Sequence, residues 1–312
     1  MKNRLVRRSL VVVAAALTVA AAGCGATGGA DGGTQLVSSR VAPQAQQAAG
    51  IVEAAQTTGA VDTEKVAITV RTEPSGGDPS VSVTATGEID GANGRAHLKA
   101  DVSGTIGGES GDATVEAVYD GDTAYVKAPF TSDLFGGKPW VKISSPKLTQ
   151  LAEQLGGGLQ GDPGSFLELL EGAGGPVTTV GTEEVRGVPT RHVHVDLDVA
   201  KVLDQAAGDR RQELSDQLAA HGVDLDELAS LPADAWIDDD GYVRRFSVSF
   251  DLAELSKLYE GAEATGVVTQ TIELYDFDEP VDIAVPPADQ VTEFDLGGLL
   301  ERGNELDPDS GD

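Results

Sequence analysis

From residue 65 onward, apolar and polar side chains alternate along most of the chain. Val66, Ile68 and Val70 begin the pattern, and Val81 and Val83 resume it after a turn. A period of two is typical of strands with one buried face and one wet face, so we predict an antiparallel sheet. The predicted strands are 65–71, 81–86, 94–103, 112–119, 124–126, 138–143, 177–185, 190–198, 234–238, 242–251, 267–277 and 281–285.

Segments with helical spacing interrupt this alternation. Residues 36–58 predict one helix, 146–155 and 165–171 predict two short ones, and 199–229 predict one or two amphipathic helices. Only these inserted helices are available to cover the apolar face of the sheet. We therefore predict an α+β fold, in which a strongly curved antiparallel sheet, a half-barrel, has helices covering one face.

The inward face of this sheet is predicted to consist mainly of Val and Ala, because aromatic residues are only 4% of the chain. Small side chains on a curled sheet leave space, which favours an apolar ligand cavity between the sheet and the helices. The alternation assigns seven candidate ligand-binding residues to this face: Ile68, Val70, Val81, Val83, Val115, Val248 and Phe250.

The N-terminus has the pattern of a secretory signal. Four basic residues precede an apolar run at 10–23, which is shorter than the roughly 20 residues that span a bilayer. We predict a signal peptide at 1–23, a lipidated Cys24 with a flexible tether at 24–35, a folded domain at 36–294 and an acidic tail at 295–312.

Cys24 is the only cysteine of the chain, and the small residues Ala21, Ala22 and Gly23 precede it. This arrangement resembles the bacterial lipobox, which implies acylation at Cys24 and an anchor on the extracytoplasmic side of the cell membrane. Two or more acyl chains suffice for stable anchoring. The alternative is ordinary cleavage in this alanine-rich stretch, which would leave a free thiol.

The charge of the chain restricts its partners. Removing 1–23 leaves 18 basic and 51 acidic residues, a net charge of −33. Nucleic acid is excluded because its phosphates require clustered Lys and Arg, and an anionic membrane surface would repel the chain. Attachment to a membrane is therefore expected through the acyl anchor alone.

Motifs for catalysis, cofactors and metals are weak. His192, His194, Asp196 and Asp198 share one strand face and could hold a divalent metal, but we interpret them as the wet face of the strand and predict no metal site. The glycine string at 156–161 has the G-x-G-x-x-G spacing but lacks the preceding strand of a dinucleotide site. With no G-x-S-x-G, H-E-x-x-H or P-loop motif, we predict no enzyme and no cofactor.

Five segments, in order, carry a family resemblance: VYDGDTAYVK (118–127), KPWVK (138–142), GVPTRHVHVD (187–196), DAWIDDDGYVRRF (234–246) and YDFDEPV (275–281). Behind a lipobox, they resemble the actinobacterial lipoproteins of the LppX/LprG type, which share a fold with the LolA lipoprotein carriers. The resemblance implies a half-barrel closed by helices over a cavity for the acyl chains of envelope lipids. It supplies no catalytic or ligand residues.

Together these patterns predict an envelope-anchored, non-catalytic lipoprotein that binds or carries a lipid or a lipidated molecule. The alternative is a membrane-anchored interaction or sensor protein on the same fold. The two differ in where apolar area lies, because a carrier has a cavity beneath its helices and a docking protein has an exposed patch.

Overall fold

The computed structural model describes residues 43–74, 80–106, 109–121, 123–129, 131–134, 136–144, 177–198, 230–253 and 265–294. Helix α1 spans Pro43–Gly59, the one-turn helix α2 spans Thr131–Leu134, and a 3-10 turn spans Ala288–Gln290. The strands are β1 (Thr63–Pro74), β2 (Val81–Asp90), β3 (Arg95–Ile106), β4 (Glu109–Asp120), β5 (Thr123–Lys127), β6 (Trp140–Ser144), β7 (Val177–Val185), β8 (Val188–Asp198), β9 (Ser230–Asp238), β10 (Val243–Asp251), β11 (Gly266–Tyr275) and β12 (Val291–Phe294).

All twelve strands belong to one large, curved and unclosed sheet. Their order across the sheet is β12-β6-β5-β4-β3-β2-β1-β11-β10-β9-β8-β7. Consecutive strands pair antiparallel in both halves, and the antiparallel pairing of β1 with β11 joins the halves. The hairpin turn between β4 and β5 follows Asp120, and Gly121 there adopts a φ of 56°, which a glycine accepts without strain.

Helix α1 packs on the β7–β10 end of the sheet. Its residues Ile51, Ala54 and Ala55 are buried in one apolar cluster with side chains of β7 to β10. We call the sheet face that carries α1 the inner face. Proline is tolerated in the first turn of a helix, which accounts for the start of α1 at Pro43.

The C-terminal part of the sheet differs from its prediction. Residues 281–285 are not a strand, and the last strand is β12, which pairs in parallel with β6. Pro280, Pro286 and Pro287 flank the mispredicted segment, and proline cannot donate to a ladder. The sheet is therefore antiparallel everywhere except at this edge.

The outer face is not wholly exposed to water as the alternation predicted, because the segment around Ile283 covers part of it. Ile283 is 5% exposed and packs against Val118 and Trp140, which lie on the face opposite α1. Arg95 donates a hydrogen bond from its guanidinium to the carbonyl oxygen of Ile283. An apolar segment without strand pairing thus covers part of the outer face.

The predicted helices at 146–155, 165–171 and 199–229 lie outside the described residues, as do Cys24 and the acidic tail. Residues 36–42 of the first predicted helix do so as well. Within the part of the chain that the structure describes, no helix is long and apolar enough to cross a membrane.

Candidate functional site

The inner face carries an uninterrupted apolar row that crosses eight strands. Strand register places one residue of each strand side by side, in the order Val193, Ala235, Phe246, Ile272, Ile68, Ala85, Ala100 and Val115. Seven strand spacings make this row about 34 Å long. The parallel row beside it runs from Val195 to Ala113 and contains one polar residue, Gln270.

All seven candidate ligand-binding residues lie on this inner face. Register puts Ile68 and Val115 in the first row and Val70, Val83 and Val248 in the second. The other two occupy the next row: Phe250 lies opposite Val268 of β11, and Val81 lies opposite Gly104 of β3. The alternation in the sequence therefore identified one continuous surface, although their contact with a ligand stays a prediction.

Burial divides these seven residues into two groups. Ile68, Val83, Val115 and Val248 are buried, whereas Val70, Val81 and Phe250 are half-buried. The half-buried group lies toward one end of the strands, where β1 ends and β2 begins. The cavity predicted between the sheet and the inserted helices depends on residues outside the described segments, so it too stays a prediction.

An open groove of about 470 Å³ lies at that same end of the sheet, where the strands of the β1–β2 and β3–β4 hairpins end. Five hydroxyl side chains line it, together with one arginine, Arg71, and one carboxylate, Asp112. Gly104 is required here, because a Cβ at this position would lie 2.7 Å from the carbonyl oxygen of Ser80. The alternation of apolar and polar residues in the sequence did not reveal this groove, because only the pairing of β2 with β3 brings the two hairpins side by side.

The two histidines of the metal hypothesis sit in a hydrogen-bonded network on the outer face. Asp234 Oδ1 lies 2.8 Å from His192 Nε2 and 3.0 Å from His194 Nδ1. His192 Nδ1 lies 3.2 Å from Glu183 Oε1, and the His192 ring stacks on Trp236 at 4.2 Å between centroids. These imidazoles therefore add side-chain contacts between β8 and its two neighbours, β7 and β9.

The carboxylate of Glu183 receives a second contact in this network. Trp236 Nε1 donates to Glu183 Oε2 at 3.0 Å, and this hydrogen bond, together with His192, lowers the pKa of Glu183 below its ordinary value of 4.5. Asp196 is more distant, with its Oδ1 3.6 Å from His194 Nε2, and Asp198 lies opposite Ser230 at the end of β8. Among the described residues, no group of three or more potential ligands is arranged to hold a metal ion.

Comparison with known proteins gives few relatives in sequence. No family model matches the chain. An uncharacterized 31.2 kDa protein of Streptomyces griseus, from the rplA-rplJ intergenic region, is 28% identical over 198 residues. The match covers 59% of this chain and 58% of that protein, so the chain spans less than two thirds of its relative's length.

Solved structures include two mycobacterial proteins with similarity over most of the chain. The lipoprotein LppX of Mycobacterium tuberculosis is 18% identical with a TM-score of 0.43, over 77% of this chain and 98% of LppX. LprF of Mycobacterium bovis is 18% identical with a TM-score of 0.44, over 78% of this chain and 98% of LprF. LppX is of the lipoprotein type that the five sequence segments resemble.

Proposed function

We propose that this protein is an envelope-anchored lipoprotein that binds a lipid or a lipidated molecule on the inner face of its sheet, without catalysis. The uninterrupted apolar row across eight strands carries this proposal. Acyl chains laid along such a surface leave water, which is favourable by about 0.8 kcal/mol per buried methylene. The proposed lipid-binding unit is 36–294, held to the membrane through acylated Cys24.

Side-chain size along the row supports a surface that receives an extended chain. Beyond the part of the row that α1 covers, two members are alanines, Ala85 and Ala100, beside the branched Ile68 and Val115. Small alanine side chains leave shallow depressions along such a row. These depressions can hold methylene groups for which larger side chains would leave no room. The half-buried Val70, Val81 and Phe250 form the end of this surface that is most open to solvent.

Native mass spectrometry of the purified full chain tests the proposal directly. We expect a mass excess over the polypeptide and its N-terminal anchor, which disappears when bound lipid is extracted with organic solvent. A polypeptide that carries no additional mass, and that acquires none when incubated with phospholipid vesicles, would contradict the proposal and favour the anchored interaction protein.

A matched pair of variants locates the binding surface. Val70→Asp places a charge on the inner face, whereas Thr69→Asp places the same charge on the outer face of the same strand. We expect Val70→Asp to lose most of the bound lipid and Thr69→Asp to retain it, with both folds checked by circular dichroism. Equal retention or equal loss in two folded variants would show that the inner face is not where lipid binds.

A further inference from the structure

One amide side chain lies among the apolar residues at the centre of the inner face. Gln270 of β11 is the only polar member of the first and second rows, which consist wholly of described residues. In the second row, Val248 of β10 lies on one side of it and Val70 of β1 on the other. Along β11 its neighbours on the same face are Val268 and Ile272. An amide is thus surrounded by apolar positions.

The side chain of Gln270 makes no hydrogen bond with the described residues. Its neighbours on the outer face, Thr269 and Thr271, each share a hydrogen bond with a serine of β10, at 3.0 Å and 3.1 Å. On the inner face of β1, the Thr72 hydroxyl is already engaged, because it accepts from the amide of Val81 at 2.6 Å and donates to its carbonyl at 2.9 Å. The half-buried amide of Gln270 is therefore available to a ligand.

Gln270 also lies at the border of the surface that α1 covers. Val248 belongs to the apolar cluster that contains residues of α1, whereas Val70 packs in a second cluster that contains none. From Gln270 the second row continues through Val70 to Ala113 of β4, four strand spacings or about 19 Å away. A polar group thus stands at one end of a long apolar path.

The chemistry of the amide restricts what can lie on this path. A ligand made only of methylene groups would remove Gln270 from water without replacing its hydrogen bonds, which is unfavourable. A carbonyl oxygen placed at Gln270 would accept a hydrogen bond from the amide nitrogen, which has two donors. An ester-linked lipid has such a carbonyl at the head of each acyl chain, and an ether-linked lipid has none.

We propose that Gln270 donates a hydrogen bond from its amide nitrogen to an ester carbonyl of the bound lipid, and that the acyl chain extends from there across β1, β2, β3 and β4. The inference rests on the proposed function, because it orients the lipid that the inner face binds. It adds a ligand class, acyl esters, and a residue that distinguishes this class from lipids without a carbonyl.

Two lipids that differ only in their linkage test the proposal. A diacylglycerol and the dialkyl ether of glycerol with chains of equal length are titrated into the delipidated full chain in mild detergent. We expect the ester-linked lipid to bind about fivefold more tightly, which is the effect of one neutral hydrogen bond. The chains and the free hydroxyl are common to both lipids, so their contributions cancel in the comparison.

Gln270→Leu removes the amide and keeps a side chain of similar size. We expect this variant to bind the two lipids with equal affinity, because neither can receive a hydrogen bond from position 270. Gln270→Met, unbranched like glutamine, is a second apolar replacement. Thr271→Val is the matched control, since it removes a hydroxyl from the outer face of the same strand, and it should retain the ester preference. Circular dichroism checks that each variant is folded.

The infrared stretching band of the ester carbonyl gives a readout that does not depend on affinity. This band lies apart from the amide carbonyl band of the protein, so it can be followed in the complex. A hydrogen bond weakens the carbonyl double bond and lowers its stretching frequency. We therefore expect a component of the band at lower frequency in the wild-type complex than in the Gln270→Leu complex, and the wild-type position in Thr271→Val.

The outcomes separate this inference from the proposed function. Equal binding of the two lipids by the wild type, or an ester preference that persists in the apolar variants of Gln270, would overturn the hydrogen bond and leave the lipid carrier standing. Binding of neither lipid would overturn the carrier itself, and this inference with it. The comparison of the two lipids needs only the wild-type chain, so it decides the question even where a variant does not fold.

Discussion

At the scale of single residues, the contacts of Glu183 make a pH-dependent contribution to stability. Its carboxylate accepts a hydrogen bond from Trp236 and faces His192, and its pKa is lowered in the folded state. A carboxylate with a lowered folded pKa stabilises the fold above its unfolded pKa, and loses that contribution as the pH falls through the folded value. The contribution is therefore complete at neutral pH.

We expect Glu183→Gln to reduce the free energy of unfolding near pH 7, and the difference from wild type to shrink as the pH falls below 4.5 and through the lowered folded pKa of Glu183. Urea denaturation at neutral pH and at acidic pH measures this. Glu184→Gln is the control, because the Glu184 carboxylate makes no hydrogen bond or ion pair with the described residues. A deficit of the same size at both pH values would contradict the assignment.

A substitution at Val83 tests whether the inner face borders a cavity or a filled core. This residue is 5% exposed, and its neighbour Thr84 is exposed on the outer face of β2. In a cavity, Val83→Trp would fill space and reduce lipid uptake while the melting temperature changes little. In a filled core the same substitution would be overpacked and cost about 1 to 3 kcal/mol. Thr84→Trp should leave both uptake and melting temperature near wild-type values.

At the scale of secondary-structure elements, one buried side chain joins α1 to the sheet. Thr58 is 1% exposed, and its hydroxyl donates to the carbonyl of Ala54 at 2.7 Å and accepts from the amide of Val243 at 2.8 Å. The helix thus satisfies a backbone donor at the start of β10, in addition to the apolar contacts of Ile51, Ala54 and Ala55.

We expect Thr58→Val to destabilise the protein by about 1 to 3 kcal/mol, because it leaves the buried amide of Val243 without its acceptor. Thr57→Val is the matched control on the same helix, since the Thr57 hydroxyl bonds only within α1, to the carbonyl of Glu53. Thermal denaturation of the two variants measures the difference. Equal melting temperatures would show that this helix–sheet hydrogen bond contributes no net stability.

At the scale of the whole molecule, the sheet combines one largely apolar face with an outer face rich in charge and hydroxyl groups. The net charge of −33 after removal of 1–23 disfavours direct binding to an anionic membrane surface. The predicted acyl anchor at Cys24 would therefore determine where the protein resides, and the inner face would determine what it binds there.

We expect Cys24→Ala to move the protein from the detergent phase to the aqueous phase in a Triton X-114 partition, because the substitution removes the only thiol in the sequence that can be acylated. The wild type should carry a modified N-terminal cysteine detectable by mass spectrometry. A wild-type chain found in the aqueous phase with an unmodified Cys24 would refute lipidation and leave the secreted-protein alternative.

The sequence determined most of the strands and the identity of the inner face. Side chains of a strand alternate between faces whatever the strand pairs with, so Ile68 had to share a face with Val70, and Val81 with Val83. The charge, the candidate anchor at Cys24 and the absence of catalytic motifs are likewise properties of local composition. These features need no knowledge of which strands are neighbours.

Only the tertiary structure decided how these surfaces are assembled. The pairing of β1 with β11 makes the apolar row continuous, and the parallel pairing of β12 with β6 replaces the strand expected at 281–285. The groove at Arg71 and the contact of His192 with Asp234 likewise join residues far apart in sequence. Local alternation specifies the face of each side chain but not the neighbour of each strand, because strand order depends on long-range edge pairing.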